Sequence, residues 1–387
     1  MSSLMESYAG DNIVENACDR IFELFGRYDR GMVYRFNDDD SGEVIHEIKH
    51  DHIDTSYLGL RFPSSDIPKP ARRLYFINRV RYIHNNELEP IQIIARDNIT
   101  IDQSLCHMRA VAKPHVVYLK QMGVVSSMSM AIIVDDELWG LLSFHAYTHA
   151  YKPSLQQRLA CESIGAMVSV RVESAMKKIE SSRSLLLGQQ VSQLDKKKCV
   201  NQNMSDWGNA LLSIIKADVF VGYTENPKGG ELEYLVLGNS VLKPGKGIWK
   251  KLGQLRSREL VVSSCRNEIS ALGISKDDCP ACGFVYYRES RTHFFFGRSE
   301  KSSDICWGGN PDEPKLKING ILCPRRSFDT YVQKACVESK KWTKEDINVI
   351  SILRDRLCEH CHDWNMTLLE NDIELSNQKY MAAVQRA

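Results

Sequence analysis

No run of apolar residues in this chain approaches the length needed to span a bilayer, and the opening Met1-Ser2-Ser3-Leu4-Met5-Glu6-Ser7 lacks the basic start and apolar core of a secretion signal. Charge of one sign is also missing. Fifty Lys+Arg against 49 Asp+Glu leave a formal net charge of +1, so there is no electrostatic case for nucleic acid or a membrane surface as partner. There is no glycine-rich phosphate loop and no dinucleotide fingerprint. No nucleophile–base arrangement or catalytic metal set marks the chain as an enzyme in its own right. The 12 cysteines are scattered rather than gathered into a disulfide framework, and read as free thiols of a reducing, cytoplasmic compartment. Proline is absent between Pro153 and Pro227, which leaves room for a long helix.

What is present suits two domains, or three at most: 387 residues, 43% of them hydrophobic. Asn12–Phe25 has helical spacing (Ile13, Val14, Ala17, Ile21, Phe22, Leu24) and stops at Gly26. Gly31–Phe36 and Glu43–Ile48 read as a hairpin around Asn37-Asp38-Asp39-Asp40-Ser41-Gly42. Three aspartates there suggest a cation loop, but they lack calcium-loop spacing, and a turn is the better reading. Leu74–Ile83 reads as a helix, Ile91–Ala95 as a strand, and Arg109–Met122 contains a helix opened by Pro114. Met128–Val134 and Leu138–His145 read as strands joined at Asp135-Asp136. The apolar stripe from Leu155 to Leu194 predicts a connecting rod, or two helices broken near Ser181-Ser182. Further on, Trp207–Ile215 and Trp342 onward read as helices, and Asp218–Tyr223, Glu259–Ser263 and Gly283–Arg288 as strands. Ser290–Phe328 is a long polar segment too extended for an idle loop. The pattern is α+β, antiparallel sheets with helices.

The densest stretch is Leu60–Tyr75, with three prolines, one acid and three arginines in sixteen residues. Proline fixes φ and removes a donor, so this is a stiff loop entering a helix, a good place to hold a polar ligand. Two C-x-x-C spacings, Cys279-Pro280-Ala281-Cys282 and Cys358-Glu359-His360-Cys361, invite zinc, but they lie too far apart in sequence, and no metal site is expected.

Five ordered blocks resemble the phytochrome photosensory module over about residues 10–365. They are Arg61–Pro68 with Ala71–Tyr75 and Asn78–Arg81, then His115–Val124, Leu138–Leu141, Trp307-Gly308-Gly309, and Pro324-Arg325-Arg326-Ser327-Phe328. The resemblance implies two GAF-like domains joined by a long helix. These are a bilin-binding GAF domain at 10–175, a connecting helix at 154–205, a PHY domain at 206–365 with a "tongue" at about 288–330, and an output helix at 366–387. It further implies a red/far-red receptor holding a linear tetrapyrrole (a biliverdin or phycocyanobilin-type bilin). Ring nitrogens would be met by the Asp66 carbonyl and by His115, propionates by Arg81 and Arg109, with Tyr75, Ser127 and Ser129 as hydroxyl donors. His145 would lie near the last ring, and Tyr34, Phe62 and Tyr118 would cage it. Asp66, Arg325 and Ser327 would form the switch that refolds the tongue. A homodimer along the long helices and a downstream transmitter domain or response regulator are the implied partners.

Two departures stand out. Pro114 occupies the place where relatives of this layout carry the anchoring cysteine, and no N-terminal PAS domain is expected, as in the PAS-less, knotless group. Cys106 is the alternative nucleophile, ahead of Cys18, and covalent attachment stays open. The rival readings are a light-independent GAF–PHY module that has lost its pigment, favoured by Pro114, and a cyclic-nucleotide-binding GAF domain, opposed by the arginines and the tongue.

Overall fold

A computed structural model of the chain describes residues 11–94, 101–107, 109–194, 200–207, 209–224, 233–245, 247–254, 260–289, 292–301, 304–313, 316–318, 321–323, 327–334 and 339–360, with 374 and 378. They form two compact units. One comprises the described residues up to Lys178 with Asp304–Lys334, the other Ile179–Ser303 with those from Ala335 onward.

In the first unit, helix α1 (Asp11–Phe25) buries Val14, Cys18, Ile21, Phe22 and Phe25 on one face, the periodicity of an amphipathic helix. Gly26, at φ +52°, ends it, donating its N–H to the Phe22 carbonyl at 3.0 Å. Strands β1 (Arg30–Phe36) and β2 (Gly42–Lys49) pair antiparallel. The three-aspartate turn between them serves structure: Asp39 accepts the Ser41 N–H at 3.0 Å, and Asp40 pairs with Arg72 at 2.9 Å and Lys69 at 3.4 Å. β3 (Arg61–Phe62), α2 (Lys69–Ile77), β4 (Val80–Ile83), α3 (Lys113–Gln121), β5 (Ser126–Val134) and β6 (Glu137–Ala146) follow.

Leu74–Ile83 is therefore not one helix. Asn78 leaves helical geometry at φ −122°, and Val80–Ile83 is drawn into a ladder with Ser127–Met130 of β5. Ile91–Ile94 is not a strand either; it finds no ladder partner among the described residues, and Ile91 and Ile94 are fully exposed.

The eight-stranded sheet runs β15-β12-β3-β2-β1-β6-β5-β4, closed at one edge by β12 (Ile305–Gly308) and β15 (Thr330–Gln333). Separately, β13 (Leu316–Ile318) pairs antiparallel with β14 (Ile321–Cys323). Helix α4 (Leu155–Ser192) runs 38 residues through Ser181-Ser182 without a break. Its first half packs with α1 against one face of the sheet, where Cys161, Val168 and Val172 meet Met128, Leu142 and Phe144. Among the described residues no helix is long and apolar enough to cross a membrane.

The second unit holds α5 (Val200–Trp207), α6 (Asn209–Ile215), β7 (Val219–Thr224), β8 (Glu233–Gly238), α7 (Ile248–Gly253), β9 (Val261–Ser263), α8 (Arg266–Ala271), β10 (Gly283–Glu289), β11 (Thr292–Arg298) and α9 (residues 344–360). Its sheet order is β8-β7-β11-β10-β9, all antiparallel. The long polar segment expected from Ser290 instead opens with a strand. β11 alternates Phe294 and Phe296 toward one core with Phe295 toward the other, so both faces of this sheet are covered. Trp207 and Asn209–Ile215 are helical, with Gly208 outside the described residues. The Cys279-Pro280-Ala281-Cys282 loop is buried and tied by Arg266, which donates to the carbonyls of Cys279, Pro280 and Ala281. Burial pushes the Cys279 thiol up to about 11. Among the described residues no group of three or more His, Cys, Asp or Glu is placed to hold a metal ion.

Asp346, fully buried, centres a charge cluster in this unit. It accepts from Arg298 at 2.8 Å and Arg183 at 3.0 Å, with Lys216 at 3.8 Å, and with Thr343 it caps α9. Burial pulls its carboxyl up, but the bond and charge of Arg298 hold it net below the ordinary range. Asp346→Ala, which strands two buried guanidiniums, is expected to cost about 3–5 kcal/mol in urea unfolding at neutral pH. Because the native carboxyl is depressed, its stabilisation is present at neutral pH and lost as pH falls through the folded-state value, so the gap between the two proteins should narrow in acid.

Candidate functional site

The sheet face not covered by α1 and α4 lines a cavity of about 700 Å³ in the first unit. Strand alternation decides which residues reach it. Along β5, Met128 and Met130 turn to the core while Ser127 and Ser129 line the cavity. Along β6, Leu142 and Phe144 turn to the core while Leu141, Ser143 and His145 line it. Met32 and Tyr34 of β1 complete this wall, and the opposite wall is made of the 63–68 loop, α2 and α3.

The proline-rich stretch is part turn, part helix. Asp66 N–H bonds the Pro63 carbonyl at 3.0 Å, and Pro70 sits in the first turn of α2, where its missing N–H is not needed. Arg72 anchors the turn from outside, donating from Nε to the Ile67 carbonyl at 2.8 Å and packing 4.4 Å from the centroid of the Phe36 ring. Asp66 is buried, and the Tyr118 hydroxyl donates to its Oδ2 at 3.2 Å.

Two guanidiniums, Arg81 and Arg109, reach the cavity together. Arg81 Nη2 donates to the Arg109 carbonyl at 3.2 Å, while its Nη1 is buried without a hydrogen-bond partner. Burial and then the like charge of Arg109 lower Arg81 to about 10. Two cations side by side with an unsatisfied donor fit an anionic ligand such as a carboxylate. The Tyr75 hydroxyl is 2.8 Å from Ser129 Oγ. His115 stacks on Tyr118, centroids 5.9 Å apart, and burial with the Arg81 charge lowers it to about 4. His145 is lowered further, to about 3, chiefly by burial. Both imidazoles are neutral at pH 7 and can each give and take one hydrogen bond. Tyr34 and Phe62 lie 6.1 Å apart, and Tyr57 meets Phe62 edge-on at 6.0 Å. The donor set thus fits an elongated, conjugated ligand carrying carboxylates and ring N–H groups.

Of the residues singled out in the sequence, Tyr34, Phe62, Asp66, Tyr75, Arg81, Arg109, His115, Tyr118, Ser127, Ser129 and His145 all line this one cavity. Cys106 does not; it is exposed on the preceding loop. Cys18 is buried in the α1 core, its thiol pushed up by burial. None of the cysteines whose side chains are described, Cys18, Cys106, Cys161, Cys265, Cys279, Cys282, Cys306 and Cys358, lines the cavity. Ser327 donates to Asp329 Oδ2 at 2.7 Å in a local turn, and Arg325 lies outside the described residues. Sequence reasoning missed Tyr57, which sits in a segment without pattern, and Ser143, which the alternation of β6 placed on the same face as His145.

Residues 304–334 also meet this site. β12 runs parallel beside β3, Trp307 opposite Arg61, and Trp307 Nε1 donates to Gln333 at 2.7 Å. Phe328 packs edge-on against Tyr118 at 5.0 Å, and Cys306 packs behind the Phe62 wall.

Comparison with known proteins matches residues 10–172 to the GAF domain and 254–365 to the phytochrome (PHY) region. The chain is 30% identical over 394 residues to cyanobacterial phytochrome B of Nostoc sp., covering 92% of this chain and 49% of that protein. It is 29% identical over 368 residues to a bacteriophytochrome of Pseudomonas aeruginosa, covering 90% and 48%. The crystal structure of a bacteriophytochrome from R. palustris superposes with a TM-score of 0.72 at 25% identity, covering 89% of this chain and 70% of that one. The chain spans about half the length of these curated relatives.

A Cβ on Gly308 would come within 2.6 Å of the Phe62 ring. Gly308→Ala is therefore expected to push β12 off β3 and speed proteolytic cleavage within 304–334 several-fold, leaving the α1–α4 core intact by circular dichroism.

Proposed function

We propose that the chain, a GAF–PHY module of the phytochrome type, is a red/far-red light receptor holding a linear tetrapyrrole in the first-unit cavity. The observation that carries this reading is the convergence, in one cavity, of two arginines with an unsatisfied donor, two neutral histidines and a set of aromatic rings. Bound there, the pigment would supply visible absorption and a photoisomerisable double bond beside its last ring.

The chain's own residues would do the rest. Arg81 and Arg109 would take the propionates, with Tyr75, Ser127 and Ser129 as hydroxyl donors. His115 and the Asp66 carbonyl would hold the ring N–H groups, and His145 the last ring. Tyr34, Phe62 and Tyr118 would bound the space through which that ring turns. A push on Tyr118 reaches Asp66 through its hydroxyl and Phe328 through its ring, so the cavity and the 304–334 segment share one side chain. Asp66, Arg325 and Ser327 are the proposed switch. Arg325 would bind Asp66 in one state and release it in the other, refolding the now β-stranded segment toward helix.

We further propose that the pigment is held without a covalent bond, since Pro114 lines the cavity at the place of the usual anchoring cysteine and none of the cysteines with described side chains lines it. The exposed apolar residues of α4, among them Leu155, Leu159, Met167 and Val170, support a homodimer along this helix. The signal would pass to a transmitter domain or response regulator.

Co-expression with a biliverdin- or phycocyanobilin-producing system is expected to give a visible band that shifts under red light. Absence of a band with either pigment would instead favour the pigment-less module. Zinc-induced fluorescence should be missing from a denaturing gel; a fluorescent band lost in Cys106→Ala would overturn non-covalent binding. Asp66→Ala and Arg325→Ala should bind pigment about as well as the native chain but photoconvert poorly, and normal photocycles in both would refute the switch.

A further inference from the structure

Behind the cavity wall lies a cation that ligand contacts alone do not explain. Arg30 opens β1 and is fully buried, a costly place for a charge unless each of its faces is answered. Here they are. The Glu47 carboxylate of β2 sits 3.1 Å from Nε as its charge partner. Nη1 donates to the Tyr147 hydroxyl at 2.7 Å, and Nη2 donates to the Thr55 carbonyl and hydroxyl at 2.6 and 2.9 Å. The guanidinium carbon lies 4.1 Å from the centroid of Tyr57, itself a cavity residue, and 5.3 Å from that of Tyr147.

Strand register decides what this cation acts on. Arg30 is directly opposite His145 across the β1–β6 ladder, and opposite residues project to the same face. His145 is 7% exposed; its Nε2 lies 3.3 Å from the Ser143 hydroxyl, while Nδ1 is buried without a hydrogen-bond partner. Its other neighbours are Ser127, opposite on β5, the Tyr147 ring at 6.3 Å, and the His115 ring of α3. The nearby carboxylates are committed elsewhere: Glu47 to Arg30 and the Tyr57 N–H, Asp29 to the Tyr147 N–H and His52. Arg30 is thus the charged group that bears on the imidazole at neutral pH, and its charge is positive. Burial first, then the Arg30 charge, hold it in the uncharged form, and His115 adds to them only in acid, once it is itself protonated.

We propose that Arg30 is a positioning residue of the cavity, a cation locked into the wall so that His145 stays neutral and presents Nδ1 to a bound ring as a single hydrogen-bond partner. This rests on the bilin reading. The terminal ring of a linear tetrapyrrole carries one carbonyl beside one N–H, and a neutral imidazole with one nitrogen held by Ser143 meets such a ring through one defined bond. A charged imidazole would donate from both nitrogens and lose the Ser143 hydroxyl as a donor to it.

The test is an NMR titration of the ¹³C/¹⁵N-histidine-labelled apo chain, with His145 assigned by its loss in His145→Gln. In the native chain His145 should not titrate above pH 5. Arg30→Met with Glu47→Leu removes the pair together and avoids stranding a charge, and should raise the His145 midpoint by about 1 pH unit or more. Arg30→Lys, which keeps the charge, should leave it untitrated. An ordinary midpoint near pH 6.5 in the native chain, or an unmoved one in the folded double variant, would overturn the proposal. If the double variant does not fold, Glu47→Gln alone decides: it leaves Arg30 charged, so the midpoint must not rise, and a rise overturns the proposal. The apo titration needs no pigment, so a failed pigment reading shows as a missing visible band with the His145 result intact.

Discussion

The period-two alternation of β5 and β6 is the constraint on which the first unit depends. The same strands must satisfy two surroundings: an apolar core beneath α1 and α4, and a polar-and-aromatic cavity on the other side. A one-residue slip in register would send Ser127, Ser129 and His145 into the core and Met128, Met130 and Phe144 into the cavity. Burying those polar groups without partners would cost on the order of several kcal/mol. The core therefore enforces the site, and the site's polar residues fix the register of the core.

The second constraint is local. The prolines of the 60–75 stretch stiffen a turn, and α2 starts inside it, so the turn and the helix act as one piece. Asp40, in the β1–β2 turn, clamps that piece through Arg72 and Lys69. Asp66 thus stands on a rigid mount at the cavity, and Tyr118 touches both Asp66 and Phe328.

Much of this was legible in the chain. The α+β class, the β1–β2 hairpin and the paired strands β5 and β6 follow from periodicity and turn chemistry, as does a long helical stripe whose continuity past Ser181-Ser182 stayed open; six of the eleven cavity residues lie in the ordered blocks, and the other five came with the resemblance those blocks carry. Other features were not legible, for physical reasons. Asn78 ends α2 because β5 offers a ladder to Val80–Ile83, a tertiary demand that overrides the local helical spacing. Ile91–Ile94 has strand composition but, among the described residues, no strand to pair with. Thr292–Arg298 looked like part of a polar extension, yet three consecutive phenylalanines are what a strand buried on both faces requires. Tyr57 and Arg30 carry no motif; the sheet register places Arg30, and Tyr57 comes from the loop before β3, its N–H bonded to Glu47.

The central claim is that a bilin in this cavity and the strands at 304–334 share a wall, so that a change at one is felt at the other. Hydrogen–deuterium exchange of the pigment-loaded chain, in the dark and under red light, tests it most directly. The account predicts that exchange in 304–334 changes on illumination and reverts with the absorbance band, while the α1–α4 core stays protected. A visible photocycle with unchanged exchange across 304–334 would contradict it.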